Sequence, residues 1–139
     1  MDAIAITQEK LDKVLLPDGV TSHHLRRVDV DYIERSGRRI KANEDEYVVF
    51  RLVSDRPTVY GDGNPLANRM YVDVNYYYSY EKTDARYQDV RARIKKIIKE
   101  FLSDRSIRLA NGESDIYDID NPYRGINVEF LFFGVSDYG

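Results

Sequence analysis

The chain has 139 residues, a net charge of −3, 32% charged and 42% hydrophobic residues, and neither cysteine nor tryptophan. That size predicts one domain over residues 1–139 with a sizeable core, and the charge balance argues against a surface that tracks nucleic acid throughout. Without cysteine there are no disulfides, no thiol catalysis and no thiolate zinc sites; no apolar run is long enough to span a bilayer, and the N-terminus lacks the basic-then-apolar order of a signal peptide.

Residues 4–16 read as a short amphipathic helix carrying Ile4, Leu11, Val14 and Leu15, stopped by Pro17-Asp18-Gly19. Residues 20–46 read weakly. Val28, Val30 and Tyr32 alternate with Asp29 and Asp31 as an extended segment. Ser36-Gly37 marks a turn beside the basic cluster Arg38, Arg39 and Lys41, and residues 43–46 form an acidic loop. Residues 47–53, YVVFRLV, predict a strand. An irregular connection with two prolines and two glycines follows over 54–68, SDRPTVYGDGNPLAN. Residues 69–80 predict a second strand. Met70, Val72, Val74, Tyr76, Tyr78 and Tyr80 share its core face, and Tyr71, Asp73, Asn75, Tyr77 and Ser79 share the other.

Thr83 is placed to cap a helix that runs to about Leu102, with Asp84 in its first turn. Tyr87, Val90, Ile94, Ile97, Ile98 and Phe101 form its apolar stripe, and basic residues fill the rest. Asn111-Gly112 is a turn signal, 115–120 a short strand, 121–125 a further turn, and 126–135 a central apolar strand. The expected architecture is α+β: a single antiparallel β-sheet with the long amphipathic helix packed on one face and a short N-terminal helix.

The candidate sites are weighed against plainer explanations. His23 and His24 are adjacent and so point apart on regular backbone, which disfavours a metal site even with Asp29 and Asp31 near. Gly61-Asp62-Gly63-Asn64 lacks the oxygen ladder of a calcium loop. No nucleophile–base arrangement or phosphate-binding loop occurs. No cofactor, no metal and no catalytic role is therefore expected. Eight basic against four acidic residues between Thr83 and Arg108, together with the tyrosine strand, leave a single-stranded nucleic-acid binding module open. The plainer account is a solvated helix face over a core of tyrosines. From Glu113 onward six acids face one arginine, and basic and acidic surfaces of this kind suit copies joined head to tail, although pairing within one chain would use the same charges.

The run VVFRLVSDRPTVYGDGNPLANRMYVDVNYYYSYE, residues 48–81, orders a strand, an S-D-x-P-T-x-Y-x-D loop, a long aromatic strand and then a helix. In this order the chain resembles the tail-terminator, or tail-completion, proteins of long-tailed bacteriophages and prophages. The likeness is strongest over residues 47–102 and extends to the closing apolar strand after Tyr123-Arg124-Gly125. Gly61 and Gly63 stand where such proteins often carry alanine and asparagine, and the basic segment from Arg35 to Lys41 has no counterpart in the family's pattern.

The resemblance implies a small α+β virion subunit that caps the head-proximal end of a tail tube, ends tube growth and offers a surface to the head. Its implied partners are copies of itself, commonly in a hexameric ring, the tail tube protein, and a head–tail connector or stopper protein. DNA passes through the lumen without sequence recognition, and no membrane is involved. Another head–tail joining subunit of the neck is the alternative. The interface residues expected are Asp55, Arg56, Pro57, Tyr60, Asp62 and Asn64 in the connection, with Tyr71 and Tyr77 on the outward face of the aromatic strand.

Overall fold

In a computed structural model of the chain, the residues described are 2–27, 31–35, 37–42, 45–54, 60–61, 64–65, 69–79, 84–116 and 123–133. Helix α1 (Ala3–Leu15) opens at Asp2, whose carboxylate accepts the Ile4 N–H at 2.9 Å. Ala3, Thr7, Leu11 and Leu15, one helical step of four apart, form its buried face. A 3-10 turn (Leu16–Asp18) starts at the proline boundary and closes on Gly19, whose φ of 73° suits a residue without a Cβ.

Strand β1 (Thr21–His24) follows, then an antiparallel ribbon of β2 (Tyr32–Arg35) and β3 (Arg38–Lys41), turned by Gly37 at φ 72°. Leu25, at φ 74°, starts the segment from β1 toward the ribbon in a region that few non-glycine residues adopt. Next come β4 (Glu46–Ser54), the two-residue partners β5 (Tyr60–Gly61) and β6 (Asn64–Pro65), and β7 (Arg69–Ser79). Helix α2 (Asp84–Leu102), β8 (Ile107–Ile116) and β9 (Tyr123–Phe133) complete the order.

Five strands form one sheet in the order β1-β4-β7-β9-β8. The class is α+β, with one mixed sheet and two helices. The wholly antiparallel sheet expected from the sequence is corrected here: β1 runs parallel to β4, with Thr21 opposite Tyr47 and His24 opposite Phe50. The cause is local. TSHH has neither an apolar run nor a turn signal, so the residues alone do not mark it as a strand. The 25–45 connection is long enough to carry the chain back to the start of its parallel neighbour.

Alternation decides which side of the sheet is buried. Val48 and Phe50 from β4, Met70, Val72, Val74, Tyr76 and Tyr78 from β7, and Ile126, Val128, Phe130 and Phe132 from β9 point into one core cluster. The apolar residues of the two helices enter the same cluster, Leu11 and Leu15 from α1 and Val90, Ile94, Ile97 and Phe101 from α2. The Phe101 ring stacks on Phe130 at 4.2 Å between centroids and meets Phe132 edge-on at 6.3 Å.

Several expected boundaries shift. Asn111-Gly112 lies inside β8, where the register with β9 slips between Leu109 and Asn111 and again between Asn111 and Ser114, so these turn-prone residues serve a bulged edge strand. The short strand expected at 115–120 is the end of this longer one; residues 117–120 lie outside the described set. Tyr123 to Gly125, expected in a turn, already pair with β7. Glu46, expected in a loop, is a buried strand residue. Tyr80, Thr83 and residues 134–135 lie outside the described residues.

Candidate docking face of the sheet

Strand alternation that sends Tyr76 and Tyr78 inward sends Tyr71, Asp73, Asn75 and Tyr77 to the opposite face. Among the described residues no helix lies there. The register aligns side chains in rows across three strands. Tyr47 is opposite Tyr77, Val49 opposite Asn75 and then Asn127, Arg51 opposite Asp73 and then Glu129, and Val53 opposite Tyr71 and then Leu131. Cross-strand neighbours at these spacings touch.

Each row has its own chemistry. Tyr47 and Tyr77 stack with centroids 5.0 Å apart and planes 28° apart, and the Arg27 guanidinium lies 4.2 Å from the Tyr47 centroid. Burial raises the Tyr77 hydroxyl pKa, partly countered by Arg51. The Asn127 amide donates to Asn75 Oδ1 at 2.8 Å. Arg51 Nε donates to Asp73 Oδ2 at 3.2 Å, and that carboxylate is largely buried although Arg51 is exposed. Glu129 completes the row. Its hydrogen bond with Asp73, its burial and the Asp73 charge push its pKa up to about 7, against the opposing pull of Arg51. The Glu129 carboxyl therefore lies beside a second acid in the middle of this face.

The expected interface residues divide accordingly. Tyr71 and Tyr77 both occupy this face and are half-buried, with Tyr77 held by its stack on Tyr47. Asp55, Arg56, Pro57 and Asp62 lie outside the described residues. For Tyr60 and Asn64 the structure describes backbone pairing, Tyr60 with Pro65 and Gly61 with Asn64. Tyr47, Arg51, Asn127 and Glu129 were not singled out from the sequence. An acid at the centre of each of two adjoining strands was the available signal, but only the register makes Asp73 and Glu129 partners.

On the other side of the sheet, buried Glu46 accepts hydrogen bonds from the Tyr76 hydroxyl at 2.7 Å and from Arg93 Nη1. Arg93 also reaches Asp18 at 3.3 Å. Burial first, and then Glu46, raises the Tyr76 hydroxyl pKa well above its ordinary value. Arg93 thus draws α2 to β4, while Lys95, Lys96 and Lys99 remain exposed. Arg91 pairs with Glu113 at 3.1 Å, and Lys13 with Glu100 at 3.1 Å. The basic helix surface and the outward tyrosines lie on opposite sides of the sheet, so they do not combine into one nucleic-acid groove.

His23 and His24 also point to opposite faces. His24 stacks on the inward Phe50 at 5.3 Å, and His23 bonds Thr21 Oγ1 at 2.7 Å. Among the described residues no group of three or more His, Asp or Glu side chains is placed to hold a metal ion, and no helix is long and apolar enough to cross a membrane. Chemically the tyrosine face offers recognition: rings that bury area with few rotors to freeze, set around a charged row. Compared with protein-family models and with curated proteins, the chain matches none.

Proposed function

We propose that this chain is a tail-terminator subunit of a long-tailed bacteriophage or prophage, a structural protein rather than a catalyst. The observation that carries the reading is the run from Tyr47 to Leu102, with its SDRPTVYGDG connection between a plain strand and a tyrosine-rich one, followed by a helix. The order β4, β5, β6, β7, α2 is consistent with it. In this reading α2 is the helix lying across the sheet of the family's small α+β subunits, and the chain works in the virion at the head-proximal end of the tail.

The tyrosine face supports the reading in a second way. A subunit that acts by assembly needs a broad surface of low conformational entropy, and Tyr47, Tyr71 and Tyr77 supply one with no helix over them among the described residues. Subunits would join in a ring, with the 54–68 connection and this face divided between neighbouring copies, tube and connector.

The test is assembly in solution. Tail tube protein from the same phage or prophage is allowed to polymerise with and without this chain, and tube lengths are read by negative-stain microscopy. A terminator shortens the length distribution and leaves one end capped. Tubes of unchanged length with no end-bound density would overturn the proposal; binding to the connector alone would assign the chain to the neck instead.

A further inference from the structure

We propose that the β2–β3 ribbon is a nucleic-acid contact that holds the phosphate backbone of duplex DNA through Arg39 and Lys41. The ring reading needs no contact with DNA, so the two proposals stand or fall separately.

The ribbon is a two-stranded sheet of its own, hydrogen-bonded apart from the five-stranded sheet. Its register puts Tyr32 opposite Lys41 and Glu34 opposite Arg39, and all four residues are exposed. The Arg39 guanidinium lies 4.2 Å from the centroid of the Tyr32 ring. That contact restrains a long side chain that is itself exposed, so its guanidinium is accessible to an anion. The two strands carry four basic residues, Arg35, Arg38, Arg39 and Lys41, against one acid, Glu34, in a chain whose net charge is −3.

Shape favours duplex DNA, because an antiparallel two-stranded ribbon fits the major groove. The chemistry is that of phosphate: Arg39 and Lys41 are exposed cations side by side with Tyr32, and Arg39 occupies one side of the Tyr32 ring. Glu34 across from Arg39 lowers the net charge and points to modest, sequence-independent affinity. An acidic surface on a second copy is the competing occupant. The acidic region beyond Glu113 is less available to it, because Glu113 is already bound to Arg91 within the chain.

The experiment titrates the full chain onto a fluorescent duplex of about 20 base pairs, by anisotropy, across a range of salt concentrations. The expected result is low-salt binding whose affinity falls with salt. The double variant Arg39→Ala with Lys41→Ala should lose about tenfold in affinity and reduce the salt slope by about 2. Arg39→Lys, which keeps the charge and gives up the fork over Tyr32, should still bind, separating charge from ribbon geometry. The triple variant Lys95→Ala, Lys96→Ala, Lys99→Ala on α2 should bind like the unaltered chain. Absence of low-salt binding, loss caused by the α2 variant instead, or loss by Arg39→Lys equal to that of the double variant would each overturn the proposal. Ribbon-dependent self-association in sedimentation without DNA binding would give the ribbon to a second copy and overturn it as well.

Discussion

Charged side chains placed where water is scarce tell most at the scale of single residues. Glu46 is 2% exposed, and both Arg93 and Tyr76 donate hydrogen bonds to its side chain. We expect Arg93→Met to cost about 3 kcal/mol in urea unfolding, since it takes the guanidinium from a buried carboxylate. A loss under about 0.5 kcal/mol, the size typical of exposed pairs, would show that solvent reaches Glu46. Glu129 works in the opposite sense. Its pKa stands near 7 against an ordinary 4.5, so between these values the folded chain binds more protons than the unfolded one. Its contribution is fully present below the lower value and is lost as pH rises through the upper one. We expect unfolding free energy to decline across that window and Glu129→Gln to flatten the decline. A wild-type profile level from about pH 5 to pH 8 would contradict the raised Glu129 pKa. The sequence showed that Asp73 faces away from the core, because alternation along one strand is local information. It did not show the partner, because Glu129 meets Asp73 only through a pairing of strands 56 positions apart in the chain, and register is a property of the folded sheet.

Elements were legible in proportion to how completely their signals are local. Helix α2 was read with its observed end at Leu102 because its apolar stripe and the acid at its start all lie within its own span. Phe101 shows what that stripe does: truncating it to alanine removes the stack on Phe130 and the edge contact with Phe132. We expect a cost of about 3 to 5 kcal/mol, measured by denaturant midpoint at unchanged slope. A cost below about 1 kcal/mol would mean that α2 is not anchored through this ring. Strand β1 was missed because its four polar residues acquire strand character only beside β4. The bulges in β8 hid that strand behind a turn signal. The aromatic strand β7 supplies both core and surface, and Tyr77→Ala separates the two. Its ring stacks on Tyr47 on the face opposite the two helices. The isolated subunit should therefore lose only about 1 kcal/mol while assembly weakens more. A loss of several kcal/mol in the isolated subunit would make Tyr77 a core residue.

The whole molecule joins a mixed sheet, closed on one side by apolar residues of two helices, to a face of tyrosines and paired polar groups. The α+β class and the inward and outward sets of β7 were within reach of the residues alone. Which outward residues form rows across the sheet was not, nor was the separation of the basic helix surface from the tyrosines, because both depend on the order β1-β4-β7-β9-β8. The proposed role also belongs to this scale, since a terminator acts as an assembled ring rather than through any one side chain. The most direct measurement is negative-stain microscopy of lysates from a phage or prophage whose copy of this gene is deleted. The account predicts overlong or uncapped tails beside filled heads that carry none, restored to uniform length by supplying the chain in trans. Tails of normal length in the deletion would contradict it.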